Sequence, residues 1–151
     1  MNTITQVMSG HAAFAGLLDR IRPWFLLATR LWVSWQFLKS GWLKITDWDT
    51  TMLLFREEYH VPVLPPTLAA VCGTFGELFF PLLLVLGCFT RFAAIGLLAV
   101  NAMAVISYWH VISSEGYEAA LAQHLLWGYM LAVILFCGAG ALSLDEKSGR
   151  R

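Results

Sequence analysis

The sequence predicts an all-α integral membrane protein: a bundle of four transmembrane helices with an N-terminal interfacial helix and a short helical lid in the first external loop. Three observations carry this fold class. Hydrophobic residues make up 58% of the 151 residues, above the roughly 45–50% of a soluble domain. Charged residues make up 13%, about half the usual ~25%. Four stretches reach the ~20 mostly apolar residues that a helix needs to cross a bilayer core. The formal net charge is +0, so no basic field exists to attract a phosphate backbone, and a nucleic-acid partner is excluded.

Residues 1–22 read as an amphipathic segment on the cytoplasmic surface. Ile4, Val7, Met8, Phe14, Leu17, Leu18 and Ile21 recur at helical spacing on one side. The four-span domain covers residues 23–145, with spans at about 23–45, 66–87, 92–112 and 119–142, and residues 146–151 form a cytoplasmic tail. Asp19 precedes the first span and no small-residue cleavage site follows it, so this span reads as a membrane helix and not as a cleavable signal. Between spans one and two, Asp49 is placed to cap a short helix carrying Met52, Leu53 and Phe55. His60 to Pro66 then runs extended, because proline disfavours helix in the residue before it.

Basic residues set the orientation. Arg20, Arg22, Arg91, Lys147, Arg150 and Arg151 fall on one side of this arrangement. The other side has Lys44 and Arg56 and collects Asp47, Asp49, Glu57, Glu58, Glu115 and Glu118. Both termini are therefore expected to be cytoplasmic, in a bacterial inner membrane. The three cysteines, Cys72, Cys88 and Cys137, form no CxxC pair and read as small buried hydrophobes.

Polar groups inside hydrocarbon are costly, so those within the spans are the informative ones. At a rise of about 1.5 Å per residue, Arg30 lies ~10 Å from the inner end of its span, Glu77 ~15 Å and Asn101 ~14 Å. This shared depth predicts a structural ion pair between Arg30 and Glu77, with Asn101 as a neighbouring partner. Pro81 removes the helical partner of the Glu77 carbonyl and predicts a kink at that level. Helical phase puts Arg30, Ser34, Phe37, Gly41 and Lys44 on one face and turns Lys39 away from it. A second polar layer is expected at the outer end, with Tyr108, His110 and His124 beside Lys44, Tyr59 and His60. Arg30, Glu77, Asn101, Tyr108, His110 and His124 are the candidate ligand-binding residues. Donors beside an apolar cleft suit a quinone-like ligand. No HxxxH or HExxH spacing supports a metal, and no GxSxG, Walker or GxGxxG motif supports self-contained catalysis.

These residues resemble the DoxX family of small bacterial membrane proteins. Arg30, Phe37, Ser40-Gly41 and Lys44 are similar to its R…F…(S/H)G..K pattern. Glu77-Leu78, Pro81, Leu86-Gly87 and Thr90-Arg91-Phe92-Ala93-Ala94 are similar to its E…L..G..TR.AA pattern. Gly138-Ala139-Gly140-Ala141-Leu142-Ser143-Leu144-Asp145 is similar to its closing G.G..SLD. The resemblance implies a four-helix membrane protein, whose family takes its name from a subunit of a thiosulfate:quinone oxidoreductase. Other members are membrane partners of redox enzymes in oxidative and thiol stress. The loop from Trp48 to Pro62 resembles a subgroup tied to metal-stress or modified-peptide gene clusters. Three functions follow as expectations. The first is the membrane subunit of a redox or stress-response system, an oxidoreductase subunit if it has enzymatic activity at all. The second is a non-enzymatic anchor or assembly partner for a soluble enzyme. The third is a small transporter component. The bilayer is the first partner; a protein partner or a second copy is the other.

Overall fold

A computed structural model describes residues 3–149. Arg150 and Arg151, counted above for orientation, lie outside the described residues, as do the side chains of Ile4 and Val7. The described residues form helices and connecting turns, with no strand among them. In chain order they are α1 (Thr3–Thr46), α2 (Trp48–Glu57), α3 (Pro66–Leu86), α4 (Thr90–Ser107), α5 (Trp109–Ile112), α6 (Glu118–Cys137) and α7 (Leu144–Lys147).

Three of these helices, α3, α4 and α6, are long and apolar enough to cross a membrane. The chain is an all-helical membrane protein. The expected fourth span is the second half of α1, whose hydropathy is lowered by Arg30, Lys39, Lys44 and by Trp24, Trp32, Trp35 and Trp42. It nonetheless packs as a full member of the bundle, against α3 and α6, while α4 packs against both α3 and α6. Its buried face is the one that the helical phase gives. Arg30, Ser34, Phe37 and Gly41 are buried and Lys44 is nearly so, whereas Lys39 is exposed.

The core joins Val33 and Phe37 of α1 to Leu84 of α3, Ala93, Ala94 and Leu97 of α4, and Leu131 and Ile134 of α6. Small residues set the helix spacing. A Cβ at Gly41 would lie 2.9 Å from Leu78, and one at Gly76 would lie 2.8 Å from Val100. The bundle needs glycine at both places for α3 to approach α1 and α4 this closely. α2 folds back over α3, with Phe55 packed on Ala69 and Ala70.

Five expectations are corrected. The N-terminal segment is not a separate interfacial helix, because α1 continues unbroken through Pro23. One proline removes one hydrogen bond and costs about 3 kcal/mol, too little to stop a helix this long. The third span ends at Ser107, and the chain turns at Tyr108 before the single turn of α5. The fourth ends at Cys137 instead of Leu142, because Gly138 and Gly140 adopt positive φ (+76 and +75). The lid helix is capped by Asp47, which accepts from Thr50 N at 3.1 Å, and Asp49 falls inside its first turn. All three cysteines are free thiols, and Cys72 and Cys137 are exposed rather than buried.

Candidate functional site

Polar groups inside the bundle separate into two layers, and helix geometry decides which residue joins which. Side chains on a helix lean toward its N-terminus. α1 runs from the end of the bundle that holds the α3–α4 turn, called the inner end, to the end that α2 covers, called the outer end, so both of its buried cations reach toward the inner end from their own Cα atoms. Lys44, at the outer end, therefore comes down to the level of Glu77. Its Nζ donates to Glu77 Oε1 at 2.5 Å and Oε2 at 2.6 Å, and to Ser40 Oγ at 3.1 Å. The side chains of the pair are only 19% and 9% exposed.

Arg30 reaches away from Glu77, toward the inner end. It is fully buried. Its Nη2 donates to Leu142 O at 2.5 Å, and its charge acts on Asp145. The expected Arg30–Glu77 pair is thus replaced by Lys44–Glu77. Depth counted along Cα atoms ignores where the side-chain tips lie, and the two errors on α1 have opposite consequences for Arg30 and Lys44. Asp145 in turn accepts from Phe89 N and Thr90 N, both at 2.8 Å, and so caps the start of α4. Asp145 N donates to Gly87 O at 2.8 Å. The inner layer closes the bundle by tying α1, the α3–α4 turn and the segment after α6 together.

Asn101 also finds a different partner. Its Nδ2 donates to His124 O at 2.9 Å, and its Oδ1 lies 2.8 Å from His124 Nδ1. With the amide nitrogen donating, the amide oxygen accepts, so His124 carries its proton on Nδ1 and presents Nε2 as an acceptor. This reciprocal pair locks α4 to α6.

The outer layer encloses a cavity of about 350 Å³ between α1, α3, α4 and α6, with α2 above it. Lys44, Ser40 and Glu77 line it together with Tyr59, Tyr108 and His124, and the rest of its wall is largely apolar, from residues such as Val100, Met103 and Ile112. Tyr108 donates to Glu58 Oε2 at 3.1 Å and stacks edge-on with Tyr59, ring centroids 5.1 Å apart. Burial, then the Glu77 and Glu58 carboxylates, push the Tyr59 phenol above its ordinary value. Burial, then the hydrogen bond to Glu58, does the same for Tyr108. The Tyr59 ring packs edge-on against Phe55 and Tyr108, and among the described residues its hydroxyl makes no hydrogen bond.

Of the six candidate residues, Glu77, Tyr108 and His124 line this cavity, and Asn101 stands behind it through His124. Arg30 does not. His110 lies outside it, where its Nδ1 is 3.3 Å from His60 Nδ1 on the exposed surface. Lys44, Ser40 and Tyr59 are the cavity residues missing from that set. The signal for Lys44 was its place fourteen residues after Arg30, almost in phase on the same helix face. Among the described residues no group of three or more His, Cys, Asp or Glu is arranged to hold a metal.

A bundle of apolar helices around a small, mostly apolar cavity with one buried ion pair in its wall defines an integral membrane protein. The DoxX family model matches residues 25–110, and the chain belongs to the DoxX family. Two relatives from Haemophilus influenzae, both described as uncharacterized proteins, support this. One is 32% identical over 138 residues, covering 86% of this chain and 95% of the relative. The other is 29% identical over 125 residues, covering 80% of each. No solved structure matches the chain.

Proposed function

We propose that this DoxX-family chain is the membrane subunit of a redox or stress-response system and holds a quinone-like ligand in the outer cavity. The observation that carries the reading is the Lys44–Glu77 pair in the wall of an otherwise apolar cavity of about 350 Å³. That volume falls within the ~300–1,000 Å³ of small-molecule sites. Apolar lining suits a prenylated ring, and the Tyr59 hydroxyl supplies a donor to a ligand carbonyl. Glu77 is placed to take up or return a proton, with Lys44 holding the carboxylate in position. A bound quinone would supply the two-electron couple, which no side chain here provides.

In this reading α1 from Pro23 to Thr46 is the fourth span, with its tryptophans toward lipid and its cations toward the bundle. Both termini face the cytoplasm of a bacterial inner membrane, as the basic residues at the inner end favour. The test is mass spectrometry of an organic extract from the purified chain, loaded with excess menaquinone or ubiquinone, beside Tyr59→Phe and Glu77→Ala. Retention by the wild type and loss from both variants is the expected result. No retained quinone in the wild type overturns the reading in favour of an anchor for a partner protein. The exposed Met8, Phe14, Leu17 and Ile21 on the first half of α1 would then be the surface that a partner covers.

A further inference from the structure

The inner end of the bundle carries a second concavity, independent of the outer cavity and of any quinone. It is an open groove of about 710 Å³ between the Asp19–Leu26 stretch of α1, the start of α4 and the glycine-rich segment after α6. Pro23, Leu26, Phe92 and Ala139 give it apolar lining, and Arg22, Arg91, Asp19, Asp145 and Glu146 give it charge of both signs. Among the described residues Lys44–Glu77 is the one ion pair, so Arg22 and Arg91 have no carboxylate partner although Asp19 sits three residues before Arg22. Arg91 lies across the break after α6, its Nη2 3.8 Å from where a Cβ on Gly138 would stand. The groove also has a fixed height. α3 ends at Leu86, α4 begins at Thr90 and α6 ends at Cys137, so all three membrane-crossing helices terminate beside it. That is the level of lipid headgroups.

We propose that this groove binds a zwitterionic phospholipid with a primary amine, its phosphate held by Arg22 and Arg91 and its ammonium by Asp19. The mixture of signs selects the headgroup. An anionic headgroup without an amine can place its phosphate on Arg22 and Arg91 but brings no ammonium to Asp19. A quaternary amine would offer Asp19 no N–H donor. The apolar lining next to these charges accommodates the glycerol backbone and first carbons of the chains, which a free phosphate does not have.

The test uses the full chain in detergent and native mass spectrometry. Phosphatidylethanolamine, phosphatidylcholine and phosphatidylglycerol with the same acyl chains are titrated in turn. Inorganic phosphate and glycerophosphoethanolamine serve as competitors. One charge-assisted hydrogen bond is worth roughly 1.5–3 kcal/mol, so phosphatidylethanolamine should bind about tenfold or more tighter than the other two lipids. Arg22→Gln and Arg91→Gln should each weaken it by a similar factor, and Asp19→Asn should erase the preference over phosphatidylglycerol. Arg22 is exposed on α1, so its variant keeps the test valid if Arg91→Gln unfolds. Phosphatidylglycerol binding as tightly as phosphatidylethanolamine, or an Arg22→Gln variant that binds normally, overturns the proposal. Equal competition by glycerophosphoethanolamine or inorganic phosphate also overturns it, since the site would then not require a lipid.

Discussion

Removing one member of the Lys44–Glu77 pair should cost far more than removing both. Glu77→Leu keeps most of the volume of the side chain but leaves Lys44 charged beside an apolar group. Lys44→Met leaves the carboxylate without its two short hydrogen bonds. Breaking a buried pair costs about 3–5 kcal/mol, and the lower end applies here because the 19% exposure of Lys44 lets water reach it. About 3 kcal/mol is a little over a hundredfold in the unfolding equilibrium. Replacing both, as Lys44→Met with Glu77→Leu, should cost roughly 1 kcal/mol or less, since a well-packed apolar pair has no desolvation to offset. A double-mutant cycle should therefore give a coupling of about 5 kcal/mol, the two single losses less the loss in the double variant. The assay is reversible unfolding in mixed micelles, run on the wild type, both single variants and the double variant. A parallel cycle crosses Arg30→Met with Glu77→Leu. Coupling near zero for Lys44–Glu77, or larger coupling for Arg30–Glu77, would refute the assignment of partners and the side-chain-direction argument beneath it.

Two further predictions follow from the inner turn and the outer rim. Gly87→Ala should destabilise the chain by more than ~2 kcal/mol in the same unfolding assay. Gly87 has φ +65, and a methyl group there runs into the Arg30 guanidinium and Ser143, so the ~1 kcal/mol left-handed cost is added to a clash; a wild-type stability would mean that the inner layer is loose. At the outer rim, ionisation of Tyr59 and Tyr108 should lag behind the ordinary tyrosine value of 10.0, because burial and nearby carboxylates favour the neutral phenol. A raised folded-state pKa gives stability that is fully present below 10 and lost as pH rises through the folded value. In a 295 nm titration of the four tyrosines, Tyr59→Phe should remove part of the late phase, and an unchanged curve would contradict the buried placement.

The helices and the buried face of α1 were legible because they depend on period and length alone. Arg30, Ser34, Phe37, Gly41 and Lys44 repeat in phase at about 100° per residue, and that phase survives whatever the rest of the bundle does. What was not legible depends on direction and on single backbone torsions. Arg30 and Glu77 share a depth by residue count, but their tips do not, because α1 and α3 run in opposite directions and each side chain leans toward its own N-terminus. The end of α6 was hidden for another reason. Gly138, Ala139 and Gly140 are apolar, so hydropathy carries the span through them, while the positive φ angles of Gly138 and Gly140 stop the helix at Cys137. The role of Asp145 as the cap of α4 joins residues 55 and 56 positions apart, a separation that no local pattern encodes.

Burial of a charge does not by itself mark the site, and the two ends of the bundle show why. Arg30 is the more deeply buried cation, and its Nε and Nη1 have no hydrogen-bond partner. By the cost of burying a charge it would rank as the functional residue. Yet it lines neither the outer cavity nor the inner groove. Its spare donors are pressed against the turn at Gly87, where even a methyl group has no room. A ligand needs unused polar capacity and space in the same place. At the outer layer the polar side chains of Lys44, Glu77 and Tyr59 stand on the wall of a cavity of about 350 Å³. The charge that is costlier to bury therefore ties α1 to the segment after α6, and the one that is cheaper to bury stands on the wall of the cavity.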